Sequence, residues 1–235
     1  MDDAALNEQA WTTYGKHHIE RGTCLSEPER LDWGFWSTGP GAEVLGDLAG
    51  KRMLDIGPGT GRYPAHLARS HKAIVDAVEV SPTQYLRATT RYGDVPGVHF
   101  VQADAVEFLQ RETAPVYDVA YSVHGLGYID PHQLLAALAP RVREGGSLVF
   151  SVLHTNKDGA GPEVTVAPRD EVLPLAGGGE LVVRMWVLSP LLWEDLLVEG
   201  GFLLEHISVL RAPEPSNPVA CTLIVARRSS SAEGE

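Results

Sequence analysis

Apolar stretches alternate with helix-like segments from residue 51 to residue 153. Such an alternation favours a parallel sheet that is covered by helices. We predict a helix over roughly 61–70, between the first two strands. The five predicted strands are 52–56, 73–80, 98–103, 116–123 and 147–153.

Two predicted helices carry start signals at the ends of strands. Ser81 is followed by Pro82 and then by Gln84, which is a capping-box arrangement. Asp104 and Glu107 repeat that arrangement after the third strand. We therefore expect helices to begin directly after Ser81 and Asp104.

The pattern changes after the fifth strand. Residues 155–180 are rich in glycine, proline and charge, and we expect an insertion over the sheet there. A strand over 180–188 and a helix capped by Ser189 and Pro190 follow. The stretches FLLEHISVL and ACTLIVARR predict an antiparallel pair at one sheet edge. The predicted fold class is α/β, with a Rossmann-like, seven-stranded, mostly parallel sheet and helices on both faces.

The chain divides into three predicted segments. Residues 1–50 are rich in aromatic side chains and lie outside the alternating pattern, so we expect an N-terminal lid or substrate segment. Residues 51–228 form the predicted core, and residues 229–235 a disordered tail.

Composition and charge narrow the class of protein. At 235 residues, the chain is long enough for one full-sized domain with a substantial core. The formal net charge of −12 disfavours nucleic acid as a partner, because an acidic surface repels phosphate backbones. Cys24 and Cys221 lack metal-ligand spacing and fit two reduced thiols. The chain carries acids where a signal peptide needs basic residues and lacks an apolar stretch of membrane-spanning length, so we expect a cytoplasmic protein. We further expect a monomer or homodimer without a metal.

The stretch MLDIGPGTGRY, residues 53–63, contains a glycine-rich turn directly after the first strand. A dinucleotide-binding turn has the spacing G-x-G-x-x-G, but Arg62 stands where its third glycine belongs. Acids also stand at the ends of three successive strands, at Asp55, Glu79 and Asp104. Three carboxylates suit a ligand with hydroxyls, an amine and a cationic centre, and they suit a pyrophosphate badly.

The segment LDIGPGTG resembles the first motif of class I S-adenosylmethionine-dependent methyltransferases. The order of the elements over 50–228 is similar to the small-molecule branch of that family, which includes enzymes that tailor secondary metabolites. The resemblance implies that the glycines admit the methionine part of S-adenosylmethionine, that Glu79 binds its ribose and that Asp104 meets its adenine. The cofactor-binding residues expected on this basis are Asp55, Gly57, Gly59, Gly61, Glu79, Val80, Asp104, Ala105, Ser122, Tyr14 and Trp36.

Some of these residues also have structural explanations. Asp104 could serve only as the N-cap of the following helix, and Asp55 could serve only to hold the glycine turn in place. Glu79 has no comparable structural task, because Ser81 already caps the following helix. Gly127 stands where relatives often carry histidine, so the identity of a catalytic base stays open.

Histidines supply the candidates for chemistry on the acceptor. His124 follows the fourth strand, where a substrate would approach the methyl group, and it is either catalytic or a wall of the pocket. His154 ends the fifth strand and is a candidate for substrate binding.

The stretch WTTYGKHH, residues 11–18, adds a second group of candidates. On a helix, Trp11, Tyr14 and His18 share one face. Either the helix is a lid that packs on the core, or Tyr14 closes over the cofactor while His17 or a catalytic His18 touches the substrate. Aromatic residues from Trp33 to Trp36 form either lid core or an aromatic pocket in which Trp33 binds substrate.

The sequence therefore predicts a methyltransferase that acts on a small aromatic or heteroaromatic acceptor, such as an indole-like compound, at carbon, nitrogen or oxygen. A base is needed only when the attacking group must lose a proton. Two alternatives stay open. One is an NAD-type oxidoreductase with a degenerate turn, and the other is a cofactor-binding module without catalysis.

Overall fold

A computed structural model describes residues 2–230 of the chain. Most of the predicted disordered tail, residues 231–235, lies outside the described residues.

Seven strands form one sheet in the order β3-β2-β1-β4-β5-β9-β8. Strands β1 to β5 are parallel to one another, and β9 is antiparallel to both β5 and β8. This arrangement confirms the predicted fold class, including the antiparallel pair at one edge. The strands of this sheet are β1 Arg52–Ile56, β2 Ile74–Glu79, β3 Val98–Gln102, β4 Tyr117–Val123, β5 Val142–Thr155, β8 Phe202–Arg211 and β9 Ala220–Arg228.

Helices begin where the sequence signals place them. The Ser81 hydroxyl accepts a hydrogen bond from the Gln84 N–H at 3.3 Å, and the Asp104 carboxylate accepts one from the Glu107 N–H at 3.0 Å. These caps satisfy backbone donors that a helix leaves unpaired in its first turn. The helices are α1 Asp3–Glu20, α2 Arg62–His71, α3 Pro82–Tyr92, α4 Ala105–Gln110, α5 Pro131–Leu138 and α6 Pro190–Glu199.

The predicted insertion contains one strand of a hairpin. Strands β6 Arg169–Pro174 and β7 Glu180–Met185 pair as an antiparallel two-stranded sheet. Strand β7 is shorter than predicted, since Trp186 leaves the hairpin and donates its N–H to the Gly127 carbonyl at 2.8 Å. The hairpin thereby lies against the short 3-10 helix Leu126–Tyr128, which follows β4.

Helix α1 spans from α3 to the hairpin and is fixed at both contacts. Asn7, only 4% exposed, donates to the carbonyls of Tyr128 and Arg184 and accepts from the Arg184 N–H, each at 2.8 Å. On the α3 side, the Thr83 hydroxyl donates to the Thr12 carbonyl at 2.7 Å. The sequence analysis missed Asn7, whose signal was a polar residue on the buried face of an otherwise lid-like helix.

Trp33 lies in the hydrophobic core that the N-terminal segment shares with β1, β4 and α2. Its side chain is 0% exposed, and its indole N–H donates to the Gly41 carbonyl at 3.0 Å. The prediction that Trp33 binds substrate is therefore corrected to a packing role, because a fully buried ring with a satisfied donor offers no surface to a ligand.

Candidate cofactor and acceptor site

The glycine turn joins β1 to α2 at the carboxyl edge of the sheet. Gly57, Gly59 and Gly61 all have positive φ, at 71°, 55° and 74°. A Cβ at Gly61 would lie 2.8 Å from the Phe100 ring, so this position needs glycine for packing. A Cβ at Gly59 would meet no atom of the described residues within 4 Å. The turn therefore has open space above Gly59, where a ligand can approach the backbone.

Glu79, at the end of β2, is bonded to this turn. The residue is only 6% exposed, and its two carboxylate oxygens accept hydrogen bonds from the Gly59 and Ser81 N–H groups, each at 2.9 Å. Burial raises the pKa of Glu79 to about 7, although both backbone hydrogen bonds oppose the shift. Within residues 2–230, no cation pairs with this carboxylate.

Asp55 is the second buried carboxyl group at this edge. The residue is 2% exposed, and it accepts a hydrogen bond from the Tyr121 hydroxyl at 2.7 Å. Burial raises the pKa of Asp55 to about 7, the Tyr121 hydrogen bond lowers it, and the neighbouring Glu79 charge raises it. The partner of Asp55 is thus a side chain of β4, and its proposed contact with the cofactor stays a prediction.

The third acid of the predicted set lies at the end of the neighbouring strand. Asp104 is partly exposed and caps α4, while Ala105 is the first residue of that helix and is buried. Val80 follows Glu79 and is partly accessible. The acids therefore stand at the ends of adjacent strands β1, β2 and β3, as the sequence order predicts.

Ser122 has a structural task that the sequence analysis did not anticipate. The residue is fully buried, donates to the Ile56 carbonyl at 2.7 Å and accepts from the Leu126 N–H at 2.9 Å. Its hydroxyl therefore ties the end of β4 to the end of β1, directly before the glycine turn. The hydroxyl is used within the protein, and the predicted contact of Ser122 with the cofactor stays a prediction.

The segment after β4 approaches the end of β1 closely at Gly125. A Cβ at Gly125 would lie 2.4 Å from the Ile56 carbonyl, so only glycine fits there. Nothing in the local sequence singles out this residue, because the close approach arises between segments that are distant in the chain.

His124 adopts a left-handed backbone conformation, with φ at 62°, directly after β4. A non-glycine residue there is strained, and such strain clusters at functional sites. The ring stacks on Phe35 at 4.4 Å between centroids, and Nε2 lies 3.2 Å from the Gly34 carbonyl. Burial lowers the pKa of His124. Because a carbonyl only accepts, the hydrogen bond assigns the proton to Nε2 and leaves Nδ1 as the basic nitrogen.

The lid helix presents a row of aromatic rings, as its spacing predicts. The Trp11 ring lies 5.2 Å from both the Tyr14 and Tyr128 rings, and Tyr14 lies 4.4 Å from His18. Burial lowers the pKa of His18, and the Arg87 charge lowers it further. His18 Nδ1 is buried without a hydrogen-bond partner among the described residues.

The remaining candidates lie apart from one another. His17 Nε2 lies 2.9 Å from the Ala176 carbonyl, in the turn of the hairpin. His154 Nδ1 lies 3.0 Å from the Thr222 hydroxyl on β9, and burial lowers its pKa. Trp36 is half-buried and packs edge-on against Phe35 at 5.6 Å. Trp36 and His124 therefore flank the same ring.

Residues 54–150 match the family model described as "Methyltransferase domain". The O-methyltransferase cnsE of Penicillium expansum is 32% identical over 139 residues, which are 51% of this chain and 50% of that protein. The chain spans about half the length of the curated relatives it matches.

Solved structures share the fold. A putative S-adenosylmethionine-dependent methyltransferase from Listeria monocytogenes aligns with a TM-score of 0.58 and 20% identity over 80% of this chain and 95% of that one. The [4+2]-cyclase SpnF aligns with a TM-score of 0.67 and 14% identity over 97% of both chains. Within residues 2–230, no helix is both long and apolar enough to cross a membrane.

Residues 54–150 thus contain a methyltransferase domain, and the chain shares its fold with solved structures of S-adenosylmethionine-dependent methyltransferases, in agreement with the resemblance drawn from the sequence.

Proposed function

We propose that this protein transfers the methyl group of S-adenosylmethionine to a small organic acceptor. The observation that carries the proposal is the pairing of Glu79 with the glycine turn: a buried carboxylate without a cation, next to open space above Gly59. Ribose hydroxyls can supply further hydrogen bonds to this carboxylate, because each hydroxyl donates a proton without bringing a charge into the buried site.

The other residues fit the same cofactor. The backbone at Gly57 and Gly59 accommodates its methionine part, Asp104 and Ala105 meet the adenine, and Tyr14 and Trp36 cover it. The cofactor supplies an activated methyl group on a cationic sulfur. The protein contributes alignment of the acceptor with that methyl group, and such positioning is worth up to about 7–11 kcal/mol.

The acceptor is proposed to be aromatic or heteroaromatic, and oxygen is the favoured attacking atom. The aromatic row of Trp11, Tyr14 and Tyr128 supports the first point. The cnsE relative, an O-methyltransferase by name, supports the second. An indole-like acceptor and a place in secondary metabolism remain part of the proposal, as does a cytoplasmic monomer or homodimer.

His124 is the proposed base for such an acceptor. Its lowered pKa keeps the imidazole neutral at pH 7, and the Gly34 carbonyl holds the tautomer in which Nδ1 is free to take a proton. Stacking on Phe35, at 4.4 Å between centroids, holds the ring in this position. His18 is the second candidate, since its buried Nδ1 has no partner among the described residues.

The test combines ligand binding with methyl transfer. We expect S-adenosylhomocysteine to raise the melting temperature, because a ligand at about 100 times its Kd adds about 2.7 kcal/mol. We expect methylated products, detected by mass spectrometry, from phenolic or indolic acceptors in a panel. In His124→Gln, kcat for a phenol should fall by about 10²–10⁴-fold. Stabilisation by NAD alone would contradict the proposal, and binding of the sulfur nucleoside with no product from any acceptor would favour a binding module.

A further inference from the structure

A cavity of about 280 Å³ lies between the C-terminal end of α1 and the side of α3, and it reaches the glycine turn at Thr60. Its volume is close to the lower end of the roughly 300–1,000 Å³ of ligand pockets. Three large apolar side chains converge on it although each is exposed: Ile19 at 42%, Leu25 at 42% and Leu86 at 53%. Exposed apolar surface gathered in one concave site indicates a ligand that covers it.

Arg87 lines the same cavity and supplies its charge. The side chain is half-buried, and burial lowers the pKa of its guanidinium. Its Nη1 donates to the Gln84 side chain at 2.8 Å. Within residues 2–230, no carboxylate forms an ion pair with Arg87, and the groups that favour its charge are Tyr14 and Cys24.

Arg91, the second guanidinium at the cavity, is already engaged. Its Nη2 pairs with the Glu27 carboxylate at 2.8 Å, and its Nη1 donates to the Leu25 carbonyl and to the Cys24 sulfur. The contrast identifies Arg87 as the available cation. The chain has 31 acidic residues and a net charge of −12, yet Arg87 is half-buried without a carboxylate partner in the part of the chain that the structure describes, which favours an anionic ligand.

We propose that this cavity binds a small organic carboxylate with an apolar body. The guanidinium of Arg87 receives the carboxylate through charge-assisted hydrogen bonds. The apolar body lies against Ile19, Leu25 and Leu86, and Thr60 and Thr90 also line the cavity. This site does not depend on the proposed methyl transfer, so a failure of either proposal leaves the other standing.

Octanoate is the probe, titrated calorimetrically into the full-length protein. We expect saturable binding that weakens about tenfold or more in Arg87→Gln, through loss of the charged contact. Leu86→Asn should weaken it as well, because the position is exposed and the change removes only the apolar wall. The matched control is Arg143→Gln, an exposed arginine at the opposite end of the sheet, which should leave the affinity unchanged. Octylamine, which has the same chain with a positive charge, should not bind at this site.

The carboxylate of the cofactor is the competing occupant, and a second titration separates the two. If S-adenosylhomocysteine binds Arg87→Gln as tightly as it binds the unaltered protein, the separate site is supported. If its affinity falls together with that for octanoate, Arg87 serves the cofactor and the proposal is overturned. Equal binding of octanoate to Arg87→Gln, or no binding to the unaltered protein, also overturns it. Circular dichroism spectra of each variant check that it folds.

Discussion

Buried carboxylates have different partners at the two ends of the parallel strands. Near the amino ends, Asp76 is 4% exposed and accepts hydrogen bonds from Arg52, His99 and Tyr117, all at 2.9–3.1 Å. At the carboxyl ends, Asp55 and Glu79 are equally buried, but no cation within residues 2–230 pairs with them and their pKa values rise to about 7.

The difference separates a structural carboxylate from the two that we propose to be available to a ligand. Burying a charge is unfavourable unless partners compensate it, and at Asp76 the protein itself supplies the partners. At Asp55 and Glu79 the compensation is left incomplete. Perturbed pKa values of this kind cluster at functional sites, and here they mark the edge where the fold predicts a ligand.

The largest expected effect comes from removing the structural carboxylate. Asp76→Leu leaves the buried Tyr117 hydroxyl without its acceptor and removes the partner of the exposed Arg52, so the free energy of unfolding should fall by about 2–3 kcal/mol. Urea unfolding measures this change. The affinity for S-adenosylhomocysteine, measured on the folded protein by calorimetry, should stay the same. A large loss of affinity would show that the two ends of the sheet are not independent.

Glu79→Gln is the matched change at the other end. The amide keeps the shape of the side chain but has one acceptor oxygen instead of two, so either the Gly59 or the Ser81 N–H loses its acceptor. Binding of S-adenosylhomocysteine should weaken by about 2 kcal/mol, or about thirtyfold. The free energy of unfolding at about pH 8 should fall less than in Asp76→Leu, since the lost backbone hydrogen bond is offset by removal of a buried charge. An unchanged Kd would rule out Glu79 as the ribose ligand, and destabilisation like that of Asp76→Leu would make it structural.

The pH dependence of stability gives a smaller and more specific effect. The folded-state pKa values of Asp55 and Glu79, about 7, lie above their ordinary values of 3.8 and 4.5. The folded protein therefore binds more protons than the unfolded chain between these values, and its free energy of unfolding falls as the pH rises through that window. Above the folded-state pKa values the loss is complete and the curve levels off.

Cofactor binding should show the opposite slope. Hydroxyl donors favour the ionised carboxylate, so the affinity for S-adenosylhomocysteine should rise from about pH 5 to about pH 7 and then level off. Calorimetry across this range measures it, and Glu79→Gln should flatten the part of the curve that Glu79 contributes. An apo protein whose stability increases from about pH 5 to about pH 7 would show that other groups dominate the titration.

Much of the candidate cofactor site was predictable because its residues lie at the ends of strands or just after them. A strand places the next residue at the sheet edge, so Asp55, Glu79 and Asp104 come to one edge whatever the connecting helices do. The caps at Ser81 and Asp104 were predictable for a similar reason, since each acts on a backbone group three positions away.

Contacts between distant segments were not predictable from local pattern. Trp33 belongs to the core because the segment that carries it packs against β1 and α2, and no local spacing records that choice. Ser122 meets Ile56, 66 positions earlier in the chain, and Asn7 meets Arg184, 177 positions later. Each role depends on which strands become neighbours.

The sequence by itself determined the class of the fold and the acids that stand at the ends of its parallel strands. Both could be predicted because hydrophobic periodicity and turn chemistry act over a few residues. Only the tertiary structure decided which of those groups are compensated. Asp76 and Glu79 lie three positions apart on β2. The neighbouring strand β1 brings Arg52 to the first, whereas the second accepts only from backbone N–H groups of the glycine turn and of the residue that caps α3. Burial and partners are properties of the packed sheet, and they set the charge chemistry of each carboxylate.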